Sequence, residues 1–275
     1  MSWFSSYLSS MIDNVSSYPN NNCRAAFGTG AIQDPQENFQ SYLTHQGVVN
    51  LVQPYLNSTM IAQQANKRFM MFETNSASCG GFPGISDSFG GALWGLDYGL
   101  QMAYANFSNA LVHIGGQNVY YNPFTGKSLI FVVQRVLSDQ PSLLFQAPPT
   151  NQSTFHQWTV GAIYYSVLVL AEALGKSNTS QVVDLTLIGS EFTPAYAIYE
   201  NGMMSKVALF NYVDDLEGTR EPSDLKVSLV IPAGMIGAGG NVKVKYLEAK
   251  SVSSKNNITW AGQVCLFLFC SPYKA

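Results

Sequence analysis

One carboxylate stands where an apolar run gives way to small polar residues. The stretch from Lys67 to Gly84 reads KRFMMFETNSASCGGFPG, and Glu73 sits on its join. Residues 68–72 carry no charge after Arg68 and suit a strand buried on both faces, as in a parallel sheet. Asn75, Ser76, Ser78, Gly80 and Gly81 follow, so a carboxylate at the strand end has room for a ligand beside it. The plainer alternative is a surface glutamate that caps the next loop. Other motifs carry less chemistry. GISDSFG lacks the glycine after Ser86 that a nucleophile elbow needs. GMIGAGG follows a proline and precedes a strand, so it reads as a turn and not a phosphate loop.

The whole chain bounds what Glu73 can do. At 275 residues it fits two average domains. It is 47% hydrophobic and 13% aromatic, ample material for a core. Only 11% of residues are charged and the net charge is −3, which argues against nucleic acid and an anionic membrane surface as partners. No apolar run reaches the ~20 residues of a membrane span. The first residues, MSWFSSYLSSMIDNVSS, have neither a basic n-region nor a sustained apolar h-region, so a signal peptide is not expected there. Sequons at Asn14, Asn57, Asn106, Asn151, Asn178 and Asn257 nevertheless lean toward a secreted glycoprotein. The cysteines, Cys23, Cys79, Cys265 and Cys270, and the histidines, His45, His113 and His156, have no zinc-site spacing. No metal or cofactor is expected. Cys23 and Cys79 both sit in polar loops, and a disulfide between them is the expectation for a secreted chain, with two buried thiols as the alternative.

The elements that must position Glu73 follow from periodicity. Residues 41–65 read as a helix whose inner face is Val48, Val49, Leu51, Val52, Tyr55 and Leu56, kinked or split at Pro54. Ser86 is expected to cap a helix running to about Ala105, with Phe89, Leu93, Leu96, Leu100 and Met102 or Ala103 inward. NALVHIGG, 109–116, reads as a second short buried strand. Residues 155–174 read as a long apolar helix closed by Gly175. This alternation is that of an α/β protein. After Lys176, VVDLTLIG, PAYAIYE, SKVALFNYV, DLKVSLVIP and NVKVKYLEA alternate apolar with polar residues between glycine turns, the pattern of an antiparallel sandwich. The boundary falls near 176–181. In a (β/α) barrel the chemistry sits where strands end, which is where Glu73 lies.

The motifs FETNSASCGGFPG, SDSFGGALWGLDYGLQMAYANF, GGQNVYYNPFT and PPTNQSTFHQWTVGAIYYSVLVLAEALG closely resemble fungal members of glycoside hydrolase family 79. This is the β-glucuronidase group, distantly related to heparanases. The resemblance covers most of residues 18–263 with one interruption. It implies the fold class: residues 1–176 are the C-terminal part of a (β/α)8 barrel, about strands 6–8, and 177–275 an antiparallel β-sandwich. YPNNNC then follows strand 6, Glu73 ends strand 7 and HIGGQNVYYN ends strand 8. Glu73 matches the nucleophile of a retaining enzyme acting on a glucuronic-acid-containing glycan. Ser78, Cys79 and Gly80 match the loop that binds the glucuronate carboxylate, and Tyr120 matches a tyrosine that does the same, with Tyr121 the competing assignment. Tyr18 is the candidate for a tyrosine contacting the nucleophile, with simple packing as the equal alternative.

The departures from the family pattern matter as much. Strands 1–5, which carry the Asn-Glu pair of the acid/base, have no counterpart. Glu37 and Asp87 have no motif around them, and Asp97 and Glu172 lie inside predicted helices, so none replaces the missing acid. The expectation is an incomplete hydrolase that bears the nucleophile alone. The alternatives are a non-catalytic carbohydrate-binding remnant and a mis-spliced product. Residues 126–146 and the tail 264–275 interrupt the pattern. Codons for Gly126-Lys127-Ser128 and Val264-Cys265 can contain intron donor sites, so both read as translated introns, with a genuine insertion as the alternative. The parent family is extracellular.

Overall fold

The computed structural model describes residues 34–77, 80–114, 119–126, 158–186, 190–213, 228, 242–266 and 269–272. Its first element is helix α1, Pro35–Tyr42, started by Asp34, whose side chain accepts the Gln36 N–H. Helix α2, His45–Val52, is capped by Thr44 in the same way. A 3-10 turn, Gln53–Tyr55, leads into α3, Leu56–Gln64. The single helix expected over 41–65 is therefore split, as the alternative at Pro54 allowed. Val48, Val52 and Tyr55 are buried as expected, but Leu56 is exposed. The tighter 3-10 turn rotates the helix face that follows it.

Strand β1, Met70–Thr74, is joined by helix α4, Phe89–Tyr104, to strand β2, Asn109–Val112. The strands pair in parallel, with Met70 opposite Asn109, Met71 opposite Ala110 and Thr74 opposite Val112. This is a βαβ unit, and its connecting helix buries nearly its whole circumference. Its cap is Ser88, which accepts the Gly91 N–H, and not Ser86. Neither strand is buried on both faces, contrary to expectation. Phe72, Leu111 and Val112 are exposed. Among the described residues Met71 and Thr74 are buried, while Glu73 and the end of β2 stay open.

Strands β3, Phe124–Gly126, and β4, Trp158–Val160, pair antiparallel and flank residues 127–157, so the expected insert 126–146 lies almost wholly outside the described residues. Helix α5, Ala162–Leu174, begins seven residues later than the sequence suggests, because 158–160 join β4 and Gly161 takes the N-cap. Gly175 ends it at φ +68°. Helices α4 and α5 touch at glycines. A Cβ on Gly95 would lie 2.6 Å from Ile163 Cδ1, and one on Gly99 would lie 2.4 Å from Leu170 Cδ1. Ser166 fastens the crossing by donating to the Ala92 carbonyl at 2.6 Å.

Beyond α5 the chain is antiparallel sheet. Strands β5, Gln181–Asp184, β6, Ala195–Glu200, and β7, Met203–Leu209, form one sheet in that order. The β6–β7 turn is Asn201-Gly202, both at positive φ as a type I′ hairpin requires. Strands β8, Leu247–Glu248, β9, Thr259–Trp260, β10, Gln263–Leu266, and β11, Phe269–Pro272, form a second sheet. Most of NVKVKYLEA is thus not strand, and DLKVSLVIP lies outside the described residues apart from Ser228. The backbone of Cys265 stands opposite that of Cys270. A single hydrophobic cluster runs from Phe39 and Tyr42 through α4 and α5 to Tyr196, Tyr212 and Ile258. The core therefore crosses the boundary expected near 176.

The start of α4 gives a test of how tightly this core is seated. A Cβ on Gly91 would lie 2.5 Å from the Ile85 main-chain oxygen, which cannot swing aside as a side chain would. Gly91→Ala should destabilise the chain by about 1–3 kcal/mol in urea denaturation, although alanine is the better helix former by about 1 kcal/mol. A stabilised variant would contradict this packing.

Candidate functional site

The site is built by the parallel register of β1 and β2. The ladder continues past the strands, with the His113 N–H donating to the Thr74 carbonyl at 2.9 Å. The Asn75 side-chain amide donates to the His113 carbonyl at 2.8 Å, and its oxygen accepts the Ser76 N–H. The two strand ends are thus tied side by side. Their outward side chains, Glu73 and His113, meet with His113 Nε2 3.8 Å from Glu73 Oε1. Glu73 is 65% exposed and His113 43% exposed, so the pair faces the open side of the sheet. Thr74, on the other face, is buried against the Tyr98 hydroxyl of α4 at 3.1 Å.

Tyr121 closes the cluster. Its hydroxyl lies 2.9 Å from His113 Nδ1, and its ring stands edge-on to the imidazole. Burial pushes the Tyr121 hydroxyl up, the Gly80 backbone bond opposes this, and the Glu73 charge adds to it. A neutral phenol bonded by the Gly80 amide has its own proton left for His113 Nδ1. The other imidazole nitrogen, Nε2, faces Glu73. Phenol and imidazole are hydrogen-bonded, and the carboxylate lies beyond hydrogen-bond distance of the imidazole.

The loop after Glu73 is compact for a reason other than the one the sequence suggests. Gly80 and Gly81 both have positive φ. A Cβ on Gly81 would lie 2.6 Å from Ser86 Oγ and 2.8 Å from Tyr121 Cδ1. At Gly81 the space is filled by the protein's own side chains. Ser86, expected as a helix cap, instead accepts the Phe82 N–H at 2.8 Å and meets the Ser76 hydroxyl at 2.7 Å. Tyr42 donates to the Ser76 carbonyl at 2.6 Å, fixing the loop from α1. The Tyr120 N–H donates to the Gly80 carbonyl at 2.7 Å, which joins this loop to the segment after β2.

Gly80 meets Tyr120 through the main chain, and Tyr121 reaches Glu73 by way of His113. Tyr18, Ser78, Cys79 and Cys23 lie outside the described residues, as do Asn14 and Asn151. His113 was missed as a site residue. Its position at the end of β2, matching that of Glu73 at the end of β1, is the signal that could have found it. Three of the four acids rejected as replacements are engaged away from Glu73. Asp87 binds the Gly84 N–H and Lys255. Asp97 is wholly buried against His45, Tyr196 and Tyr212. Glu172 binds Lys245 and the Trp260 indole N–H. Glu37 lies in the first turn of α1. Among the described residues no group of three or more His, Cys, Asp and Glu side chains could hold a metal ion. An apolar cleft between α4, α5 and β2 is lined by Trp94, Tyr98, Met102, Phe107, Ile163 and Leu170, and neither Glu73 nor His113 lines it.

Residues 195–266, which span β6 to β10, match the glycosyl hydrolase family 79 C-terminal beta domain. Over these residues the chain resembles glycoside hydrolase family 79. The match runs three residues into the tail that the sequence sets apart at 264. A beta-glucuronidase of Aspergillus niger is 26% identical over 245 residues, covering 85% of this chain and 40% of the relative. A beta-glucuronidase of Neurospora crassa is 27% identical over 220 residues, covering 69% of this chain and 34% of the relative. The chain thus spans well under half the length of these two curated relatives. The crystal structure of a 4-O-alpha-L-rhamnosyl-beta-D-glucuronidase from Fusarium oxysporum shares the fold, with a TM-score of 0.54 at 21% identity. That similarity covers 82% of this chain and 42% of the other.

The loop makes its own prediction. Ser86→Ala strands the buried Phe82 N–H and should cost about 1–3 kcal/mol of stability. The same substitution at exposed Ser253 should cost nothing measurable. Equal effects at the two positions in a denaturation series would contradict the role given to Ser86.

Proposed function

We propose that this chain carries the nucleophile side of a retaining β-glucuronidase site, within the C-terminal part of a (β/α)8 barrel followed by a β-sandwich. The observation that carries the reading is Glu73 itself. It ends a parallel strand of a βαβ unit, on the open face, beside an imidazole and a buried phenol. In this role Glu73 attacks the anomeric carbon, the leaving-group oxygen departs with a proton from a second carboxylic acid, and water later cleaves the glycosyl ester. The second carboxylate comes from the portion of the relatives that this chain does not span, and lies ~5–5.5 Å from the first. His113 and Tyr121 hold the Glu73 carboxylate in line. Ser78, Cys79, Gly80 and Tyr120 surround the glucuronate carboxylate, and Tyr18 approaches from the preceding strand. Cys79 pairs with Cys23. The barrel portion is residues 1–176 and the sandwich 177–275.

The test uses a chimaera in which this chain is joined to the remaining length of the Aspergillus niger relative. Glu73→Gln should lower turnover of an aryl β-glucuronide by roughly 10^3-fold or more while leaving binding nearly unchanged, because the amide keeps the shape and loses the nucleophile. Tyr120→Phe should instead weaken the preference for glucuronide over glucoside by about 1–3 kcal/mol. Undiminished turnover in Glu73→Gln would remove Glu73 from the role. Binding without turnover in the parent chimaera would favour a carbohydrate-binding remnant.

A secreted, glycosylated state belongs to the same reading. Asn106, Asn178 and Asn257 are exposed on turns at φ +65°, +57° and +56°, and Asn57 is exposed on α3. Asparagine is among the few residues that adopt this left-handed backbone readily. Expression through a eukaryotic secretory pathway should add endoglycosidase-sensitive glycans at the three turn positions. An unshifted band after digestion would contradict it.

A further inference from the structure

A second titratable cluster lies away from Glu73, where the helices meet the first antiparallel sheet. His45 opens α2, and its main-chain N–H donates to the Glu191 carbonyl at 2.8 Å. Its ring reaches two other elements. Nδ1 is 3.1 and 3.2 Å from the two oxygens of Asp97 on α4, and Nε2 is 3.0 Å from Asp184 Oδ2 at the end of β5. Asp97 also accepts from Tyr196 of β6 at 2.5 Å and from Tyr212, after β7, at 3.0 Å. Tyr196 stands edge-on to the His45 ring, and Gln101 Oε1 lies 3.1 Å from the Tyr196 hydroxyl.

A neutral imidazole has one N–H. Here both ring nitrogens face carboxylate oxygens, so the neutral form would press a lone pair against an anion on one side or the other. With both carboxylates ionised, only the imidazolium satisfies both contacts. We propose that His45 is held as an imidazolium between Asp97 and Asp184, forming a charged clasp between the helical layer and the C-terminal sheet that opens at alkaline pH. The titratable groups meeting it are Asp97 from α4, Asp184 from β5, Tyr196 from β6 and, through Asp97, Tyr212. Burial alone lowers the His45 value, but hydrogen bonds to Asp184 and Asp97 outweigh it and raise the group from 6.5 to about 9. Burial raises Asp97, against the bonds it accepts from His45, Tyr196 and Tyr212. Burial also works to raise Asp184, but its bonds from His45 and Thr186 bring it below the usual carboxylate range.

The consequence has a definite sign. A group raised in the folded state contributes its stability in full below its unfolded value, and loses it as pH rises through the folded one. The clasp's contribution to stability is therefore full below pH 6.5, declines as pH rises from there, and is lost above about 9. It also lies close to the first site without depending on the chemistry proposed there. Asp97 precedes Tyr98, whose hydroxyl meets Thr74, the neighbour of Glu73.

Two measurements on the 275-residue chain test this. Proton NMR of its three imidazoles should show one signal titrating near pH 9; three signals all titrating below about 7.5 would overturn the proposal. Thermal unfolding from pH 6 to 10 should show a falling midpoint through pH 7–9.5. His45→Gln, which keeps hydrogen bonding without charge, should melt about 4 °C or more below the parent at pH 6 and converge with it by pH 10. Where His45→Gln does not fold, Asp184→Asn serves, since it removes the less buried carboxylate and should flatten the same slope. A variant parallel to the parent across the whole range, in either case, would mean that the cluster carries no titrating clasp.

Discussion

The structure around Glu73 depends on the parallel pairing of two short strands. Side chains alternate along a strand, so a shift of one residue between β1 and β2 would move His113 away from Glu73 and turn Thr74 out of the core. The register is held at its open end by the Asn75 amide on the His113 carbonyl, and from below by Tyr98 on Thr74. A parallel pair requires a crossover, and α4 supplies it. That helix is buried nearly all round because it must pack at once on the strands, on α5 and on the antiparallel sheet. Its glycines allow the approach to α5, and Asp97 makes the polar contact to the sheet.

Polar contacts in this core are few and multiply bonded. Ser86 serves Phe82 and Ser76, and Asp97 serves His45, Tyr196 and Tyr212. A buried polar group costs free energy unless its bonds are made, and these groups make several each. The loop after Glu73 is consequently fixed from three sides, by Tyr42, Ser86 and Tyr120. The nucleophile proposed here would then stand on a strand end whose described neighbours, Ser76 and Gly80, are held by hydrogen bonds.

Much of this was legible in the sequence. The apolar run before Glu73 and the small residues after it marked a strand end. Leu93, Leu96 and Leu100 marked the inner face of α4, and Asn201-Gly202 marked a hairpin. The helix starts were misjudged where a serine or an apolar stretch imitates a cap or a turn. Ser86 resembles an N-cap but its hydroxyl is spent on the loop, and Ser88 takes the cap. Trp158–Val160 are apolar enough for a helix, yet pair with β3. Burial was overestimated for Phe72 and Leu111, because composition alone does not say which face of a strand has a neighbour. The His45 cluster was not legible at all. Its members lie at positions 45, 97, 184, 196 and 212, and only the packing of α2 and α4 on the sheet brings them together.

The reading of Glu73 meets its most direct test in covalent trapping. A 2-deoxy-2-fluoro-glucuronosyl fluoride, whose leaving group needs no protonation, should form a stable ester with the nucleophile of the chimaera. Mass spectrometry of the digested protein should place one adduct on the peptide that contains Glu73, and Glu73→Gln should abolish it. An adduct on any other carboxylate, or labelling that survives in Glu73→Gln, would contradict the account.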